Sequence, residues 1–285
     1  MAEAGTIRRM TRGDIPFGMV LKDFAGWNQL PLDWERFLEF EPEGCFIAEL
    51  ERQPAGTATT IAYEKLFGWV GMVLVHPDMR RRGIGTALLM AGIEYLEEKG
   101  VAAVKLDATP MGKQLYDTLG FVDEYVVERW QGTGQETGSP SNLTLLSRDH
   151  LEVVSAFDTP ILGADRGRVL SRLLTEATVR VAGRFDAVGN LLGYAAVRPG
   201  QKAAYVGPWV ASDPETAAAL WDWALAVVSG LPVFVDIPLP NPHVLQLLRG
   251  YGFEKQRPFI RMYRGENLSP GRPELQYGIF GVEVG

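Results

Sequence analysis

The apolar residues of this chain gather into two kinds of stretch, short β-branched runs and longer segments at helical spacing, separated by polar or glycine- and proline-bearing joints. The clearest pair lies between residues 69 and 100. Trp69-Val70-Gly71-Met72-Val73-Leu74-Val75 is an unbroken apolar run that predicts a buried strand. His76-Pro77 ends it, because proline fixes φ and has no N–H for a ladder. After a polar turn, Ile84, Ala87, Leu88, Ala91 and Tyr95 recur at helical spacing until Lys99 and Gly100 supply a cationic last turn and a C′ glycine. Val101 to Leu106 reads as the next strand. The order of strand and helix predicts an α/β (α+β) fold.

The pattern then repeats. Tyr205-Val206-Gly207 echoes Trp69-Val70-Gly71, and Thr216 to Gly230 aligns without a gap on Thr86 to Gly100. Val235-Asp236 echoes Leu106-Asp107, and Tyr251-Gly252-Phe253 echoes Leu119-Gly120-Phe121. Between the copies, residues 132–142 are polar, glycine-rich and without apolar period, as expected of a linker. The 285 residues exceed the usual size of one domain. The expected organisation is a first domain over 1–131, a linker over 132–142 and a second domain over 143–285.

The joint between strand and helix carries the chemistry. Arg80-Arg81-Arg82-Gly83-Ile84-Gly85-Thr86 places cations and two glycines where the first N–H groups of a helix have no intrahelical acceptor and the helix dipole is positive. Such a site suits an anion, and glycine lets the backbone approach it closely. No GxxxxGK[ST] string occurs, and a GxGxxG fingerprint fails at Leu88. The RxxGxG pattern between Val-His-Pro and a long helix resembles the acetyl-CoA pyrophosphate loop of the GCN5-related N-acetyltransferases (GNAT). Leu115-Tyr116-Asp117-Thr118-Leu119-Gly120-Phe121 is similar to that family's LYxxxGF signature. The resemblance implies two GNAT folds in tandem, each a mixed, mainly antiparallel twisted sheet flanked by helices.

By the same resemblance, acetyl-CoA is the expected donor. Its pyrophosphate would bind Arg80 to Thr86, and its pantetheine arm the strand at Val73, Leu74 and Val75, with Thr109 nearby. Tyr116 would be the general acid that protonates the CoA thiolate. Thr109 and Gly112 depart from the asparagine and alanine common in the family. For the acceptor, the family uses the segment between its first two helices, here Phe24 to Trp34. Trp27 offers a cation–π face, and Asn28 and Gln29 offer hydrogen bonds; Trp27 and Trp34 would serve equally as core anchors. His76, Asp107, Glu49 and Glu64 are candidates for the general base, each with a structural or solvated role as the plainer reading. Asp107 recurs as Asp236, which favours a structural one.

In the second copy the interval from Gly207 to Thr216 is six residues shorter than that from Gly71 to Thr86, which removes the Arg80 to Gly85 loop. Asp213, Pro214 and Glu215 stand there instead, and Leu248 replaces Tyr116. Activity is therefore expected in the first half, with the second half degenerate. In the mycothiol synthase type of tandem GNAT protein the active half is the C-terminal one, so that substrate is not carried over.

Composition narrows the partners. A net charge of -7 argues against nucleic acid and leaves the three arginines as a positive island. The apolar runs are too short for a membrane span. Met1 to Gly5 lacks the pattern of a secretory signal, so cytoplasmic residence is the expectation. A single Cys45 opens an apolar run and is expected to be a small buried hydrophobe; no metal is expected. The leading expectation is an N-acetyltransferase acting on a primary amine of a small molecule by direct transfer in a ternary complex, with the second domain shaping the acceptor cleft or a homodimer interface. The alternatives are a catalytically silent acyl-CoA-binding regulatory module and a protein or peptide N-acetyltransferase.

Overall fold

The computed structural model describes residues 5–138 and 142–285. The first half runs β1 (Thr6–Arg9), α1 (Ile15–Phe24), α2 (Pro31–Phe40), β2 (Phe46–Leu50), β3 (Gln53–Tyr63), β4 (Phe67–Val75), α3 (Ile84–Glu98), β5 (Ala103–Ala108), α4 (Lys113–Thr118) and β6 (Val122–Thr133). The second half repeats that order as β7 (Leu143–Leu145), α5 (Leu151–Leu162), α6 (Gly167–Thr175), β8 (Arg180–Phe185), β9 (Leu191–Arg198), β10 (Ala204–Ala211), α7 (Pro214–Val227), β11 (Pro232–Pro238), α8 (Val244–Gly250) and β12 (Glu254–Gly265), and then adds β13 (Gln276–Gly278). No helix among the described residues is long and apolar enough to cross a membrane.

All strands join one sheet of order β1-β2-β3-β4-β5-β12-β6-β11-β10-β9-β8-β7, with β13 on β10. The middle of that order is an exchange. β12, from the second half, pairs with β5 of the first, and β6, from the first half, pairs with β11 of the second. Both ladders are antiparallel, and β6 and β12 also pair with each other. β6 continues through Gly132 and Thr133, two residues into the expected linker, and Gly134 bridges to Ser229. Residues 139–141 of that segment lie outside the described residues.

Two buried ion pairs pin the exchange. Arg261 on β12 grips Asp107 on β5, with Nε and Nη2 each 2.9 Å from a carboxylate oxygen. Arg129 on β6 grips Asp236 on β11 at 2.7 and 2.6 Å. Each arginine is the direct cross-strand partner of its aspartate. Arg129 and Arg261 both stand eight residues after the phenylalanines Phe121 and Phe253, so the pairs are two copies of one contact, each made with the other half. The structural reading of Asp107 and Asp236 is therefore the one the structure supports.

The helices complete the exchange. Trp34 and Phe37 of α2 share one core with Val154 of α5, Leu170 and Leu173 of α6, and Tyr63, Trp69 and Tyr194 of the sheet. α3 and α7 instead cover separate cores, one built on Leu89, Ile93 and Leu96 and the other on Trp209, Trp221 and Leu225. The buried face of α3 is broader than its sequence period implies, because Leu89, Gly92 and Ile93 are covered along with Ile84 and Leu88.

Removing one member of a buried pair strands its partner charge, at about 3–5 kcal/mol. Asp107→Ala and Asp236→Ala are each expected to lose stability of that order in urea titrations. Wild-type unfolding is expected to be one transition, with tryptophan fluorescence and circular dichroism coinciding; two resolved transitions would show that the halves fold independently.

Candidate active site

β4 and β5 pair in parallel only over Phe67–Trp69 and Ala103–Lys105. Beyond Trp69 the strands diverge, which leaves the β5-facing edge of β4 without a ladder partner. The β3–β4 register shifts between Thr57 and Thr59, opposite Gly71 to Leu74. Met72 sits in that irregularity at φ 50°, a conformation a non-glycine residue holds only when its surroundings impose it. A cavity of about 620 Å³ fills the opening. Its walls are Val70 to Val75 of β4 and Leu106, Asp107 and Thr109 of β5 and the turn after it. Arg80, Met111 and Tyr116 come from the segments that follow those strands, and Phe24, Trp27 and Gln29 from α1 and its exit. Arg129, Arg257, Phe259, Val282 and Glu283 complete it from β6, β12 and the segment after β13.

The loop between β4 and α3 is exposed from Arg80 to Gly83. Gly83 caps α3 in the left-handed region at φ 81°, and Arg81 also has positive φ, at 60°. The first intrahelical bond runs from Ala87 N–H to Gly83 C=O at 3.0 Å. The amides of Ile84, Gly85 and Thr86 thus have no acceptor in the helix, which is the arrangement that binds anions. Arg80 donates from Nε to Val75 C=O at 3.2 Å and borders the cavity. These groups fit a pyrophosphate whose attached arm lies along β4.

Tyr116 is half-buried on α4, its ring edge-on to Phe121 at 6.1 Å between centroids. Among the described residues its hydroxyl has no hydrogen-bond partner, and burial pushes the phenol pKa up. A Cβ on Gly112 would stand 3.0 Å from the Tyr116 ring, which accounts for glycine where alanine is common. Thr109 borders the cavity and accepts from Gly112 N–H at 3.3 Å.

The expected acceptor residues divide. Trp27 and Gln29 line the cavity, whereas Asn28 does not. Asn28 is instead a clasp between the halves: its Oδ1 accepts from the amides of Lys202 (2.8 Å) and Ala203 (3.1 Å), and its Nδ2 donates to Ala203 C=O. These bonds engage Oδ1 twice and one of the two Nδ2 hydrogens, so Asn28 joins the halves beside the cavity. Trp34 is a core residue.

None of the expected bases stands unengaged at the cavity. Asp107 has both oxygens on Arg261. Glu49 pairs with Arg8 on β1, and Glu64 accepts from Asp165 N–H in a turn. His76 packs edge-on against Phe24 at the strand end and does not line the cavity. Cys45 is buried, with its thiol pushed up to about 12 by desolvation.

Glu283 escaped the sequence reading. Its side chain is buried, its pKa is pushed up to about 7 mainly by desolvation, and Asp33 pushes in the same direction. Its only hydrogen-bonded side chain among the described residues is Gln29, whose Nε2 donates to Oε2 at 3.3 Å. No local pattern around Glu283 distinguishes it; its place follows from the path of the whole segment.

The matching region of the second half is built differently. Eight residues, 76–83, separate β4 from α3, and two, 212–213, separate β10 from α7. Asp213 caps α7, accepting from Thr216 N–H and its hydroxyl at 2.8 Å each, so a carboxylate already occupies the helix terminus. β13 pairs with Trp209 and Val210 of β10, the counterparts of Val73 and Leu74. β13 thus takes the edge of β10 that corresponds to the open edge of β4, and a cavity of about 360 Å³ remains beside it, lined by Pro214 of α7, Leu247 of α8 and Tyr277 of β13.

Comparison with known proteins agrees with this duplicated architecture. Residues 19–121 match the model of the acetyltransferase (GNAT) family, and residues 154–278 match that of an acetyltransferase (GNAT) domain. The chain belongs to the GNAT acetyltransferases. A holothin acyltransferase from a Pseudoalteromonas species is 26% identical over 259 residues, covering 89% of this chain and 85% of its own. Mycothiol acetyltransferases, such as that of Thermomonospora curvata at 32% identity, match over about a third of either chain. Among solved structures, an acetyltransferase of Pyrococcus horikoshii superposes with a TM-score of 0.85 at 24% identity, covering 98% of this chain and 95% of that one. A tandem GNAT protein from the clavulanic acid biosynthesis pathway gives 0.64 at 15% identity, covering 91% of this chain and 98% of its own. These last two establish the shared fold. The chain is thus a tandem GNAT enzyme, and its family uses acetyl-CoA as acyl donor.

Because its pKa is raised, Glu283 in this GNAT chain keeps a proton that the unfolded chain releases above about pH 4.5. Its stabilising contribution is complete below that pH and is lost as pH rises through about 7, on the order of 3 kcal/mol in all. Glu283→Gln is expected to remove this fall from the pH profile of urea stability, measured between pH 4 and 8.

Proposed function

We propose that this chain is an acetyl-CoA-dependent N-acetyltransferase that acetylates a primary amine of a small molecule, by direct transfer within a ternary complex in its first half. The observation that carries the reading is a contrast between the copies. The first half opens β4 from β5 around a cavity bordered by Arg80 and Tyr116, while in the second half β13 takes the corresponding edge of β10 and Asp213 occupies the start of α7.

Acetyl-CoA would supply an activated acetyl group. The free amides of Ile84 to Thr86, with Arg80, hold its pyrophosphate. The unpaired edge of Val73 to Val75 offers N–H and C=O groups to the pantetheine arm, and an N–H there is suited to the carbonyl oxygen as negative charge develops on it. Tyr116, with a raised pKa and an unengaged hydroxyl, stays protonated and gives its proton to the leaving sulfur. The second half lines the opposite side of the cleft through Arg257, Phe259, Val282 and Glu283, which narrows the space beside β4 and favours a small acceptor over a polypeptide.

Calorimetric titration with acetyl-CoA is expected to give one site per chain. Two sites would overturn the assignment to the first half, and none would remove the donor. Tyr116→Phe is expected to lower kcat by about 10²-fold while acetyl-CoA affinity stays within about twofold, the phenol acting in the transition state and not in binding.

A further inference from the structure

The segment after β13 begins in the second half and ends in the first. Ile279 N–H donates to Asp236 C=O at 2.9 Å, and Arg198 donates to Phe280 C=O. Three residues further on, the holders change. Trp69 Nε1 donates to Val282 C=O at 3.1 Å, and Tyr63 donates to Val284 C=O at 2.7 Å. Glu283 lies between these two anchors, against Gly71. A Cβ on Gly71 would stand 2.7 Å from the Glu283 carbonyl oxygen and 3.0 Å from its Cβ, so glycine at 71 is what lets the segment sit beside the Met72 irregularity, where β4 turns away from β5.

Given the N-acetyltransferase reading above, on which this rests, we propose that Glu283 is the carboxylate that receives the acceptor as an ammonium ion and takes its proton before acyl transfer. The charged groups around it are otherwise engaged. Arg36 on α2 is held by Asp33 and Glu176, Arg129 on β6 by Asp236, and Arg198 on β9 by the carbonyls of Gly207 and Phe280. Asp107 on β5 is neutralised by Arg261, and Tyr205 on β10 donates to Asp236. Glu283 itself has no ion pair among the described residues, an arrangement that disfavours its charged form until a cation arrives. Gln29 adds a second, independent sign. It is buried, its Nε2 donates to Glu283, and its Oε1 has no partner among the described residues. A primary ammonium supplies N–H donors for both oxygens at once, and Phe24, Trp27, Phe259 and Val282 line the cavity for an apolar or aromatic arm.

The protons balance as follows. R–NH3⁺ loses one proton to the Glu283 carboxylate, which later releases it to water. The freed lone pair forms the C–N bond, and the C–S bond breaks. The sulfur takes the Tyr116 proton, and the proton the nitrogen sheds on becoming an amide restores that phenol. With a carboxyl near pH 7, the base is matched to neutral conditions.

The test follows CoA thiol release from acetyl-CoA with a panel of primary amines that includes 2-phenylethylamine, tryptamine and putrescine, between pH 5.5 and 9. For the best amine, Glu283→Gln is expected to lower kcat/KM by about 10²-fold or more and to abolish the acidic limb of the pH profile, with acetyl-CoA affinity by calorimetry unchanged within about twofold. Glu283→Asp is expected to lose less and to keep that limb. A Gln variant that stays folded, binds acetyl-CoA and retains activity within about threefold, with the acidic limb intact, overturns the role of Glu283 and leaves the function standing. If wild type binds acetyl-CoA and acetylates none of the amines, the N-acetyltransferase reading fails and this proposal fails with it.

Discussion

The architecture depends on two buried arginine–aspartate pairs that cross between the halves. Charges taken out of water are tolerated only when their geometry and hydrogen bonds are nearly complete, and both pairs meet that condition with two-pronged contacts on strands in direct register. If β6 and β12 were placed beside the fifth strand of their own half instead, each arginine would need its own half's aspartate at the same register; in the observed sheet each finds the other's. The exchange makes the sheet continuous across the halves, and it aims β12 and the residues after it at the first half's cleft.

That constraint explains why the second half, which has Asp213 where the first has an arginine loop, is nonetheless part of the candidate active site. Arg257 and Phe259 reach the cavity because β12 lies next to β5, and Val282 and Glu283 reach it because the chain must leave β13 across the seam. One segment does two jobs. At its start it supplies the strand that takes the β10 edge, and at its end it supplies a buried carboxylate beside β4. The shorter loop before α7 and the Asp213 cap leave the sheet undisturbed, since β9, β10 and α7 keep their places.

The two ends of the cleft have different physical characters. On the donor side, exposed arginines and free amides face solvent, where a diffusing anion can reach them. On the acceptor side, Glu283 and Gln29 are buried, so an amine must shed water to arrive and is recognised by two oxygens in a low-dielectric setting. Electrostatic interactions are stronger there than at the surface, which suits a site that must choose among small cations.

How legible each part was follows from how local it is. The strand ending at Val75, the helix beginning at Ile84, the repeat of elements and the loop lost before Thr216 are all properties of neighbouring residues, and the structure has them where the sequence places them. The features of the proposed donor site, Arg80 to Thr86 and Tyr116, each lie in a short contiguous motif, at the start of α3 and on α4. At Asn28 the sequence is ambiguous, because an amide on a loop looks the same whether it meets a ligand or, as here, the backbone of Lys202 and Ala203. The Asp107 and Asp236 echo was visible, but its arginines belong to the opposite half, and a periodicity cannot say which copy a strand will pair with. The groups proposed to hold the donor were thus determined by sequence, through short contiguous motifs. The acceptor half, with Glu283 beside Gly71, was decided only by the tertiary structure, because burial and strand exchange bring together residues that share no local pattern.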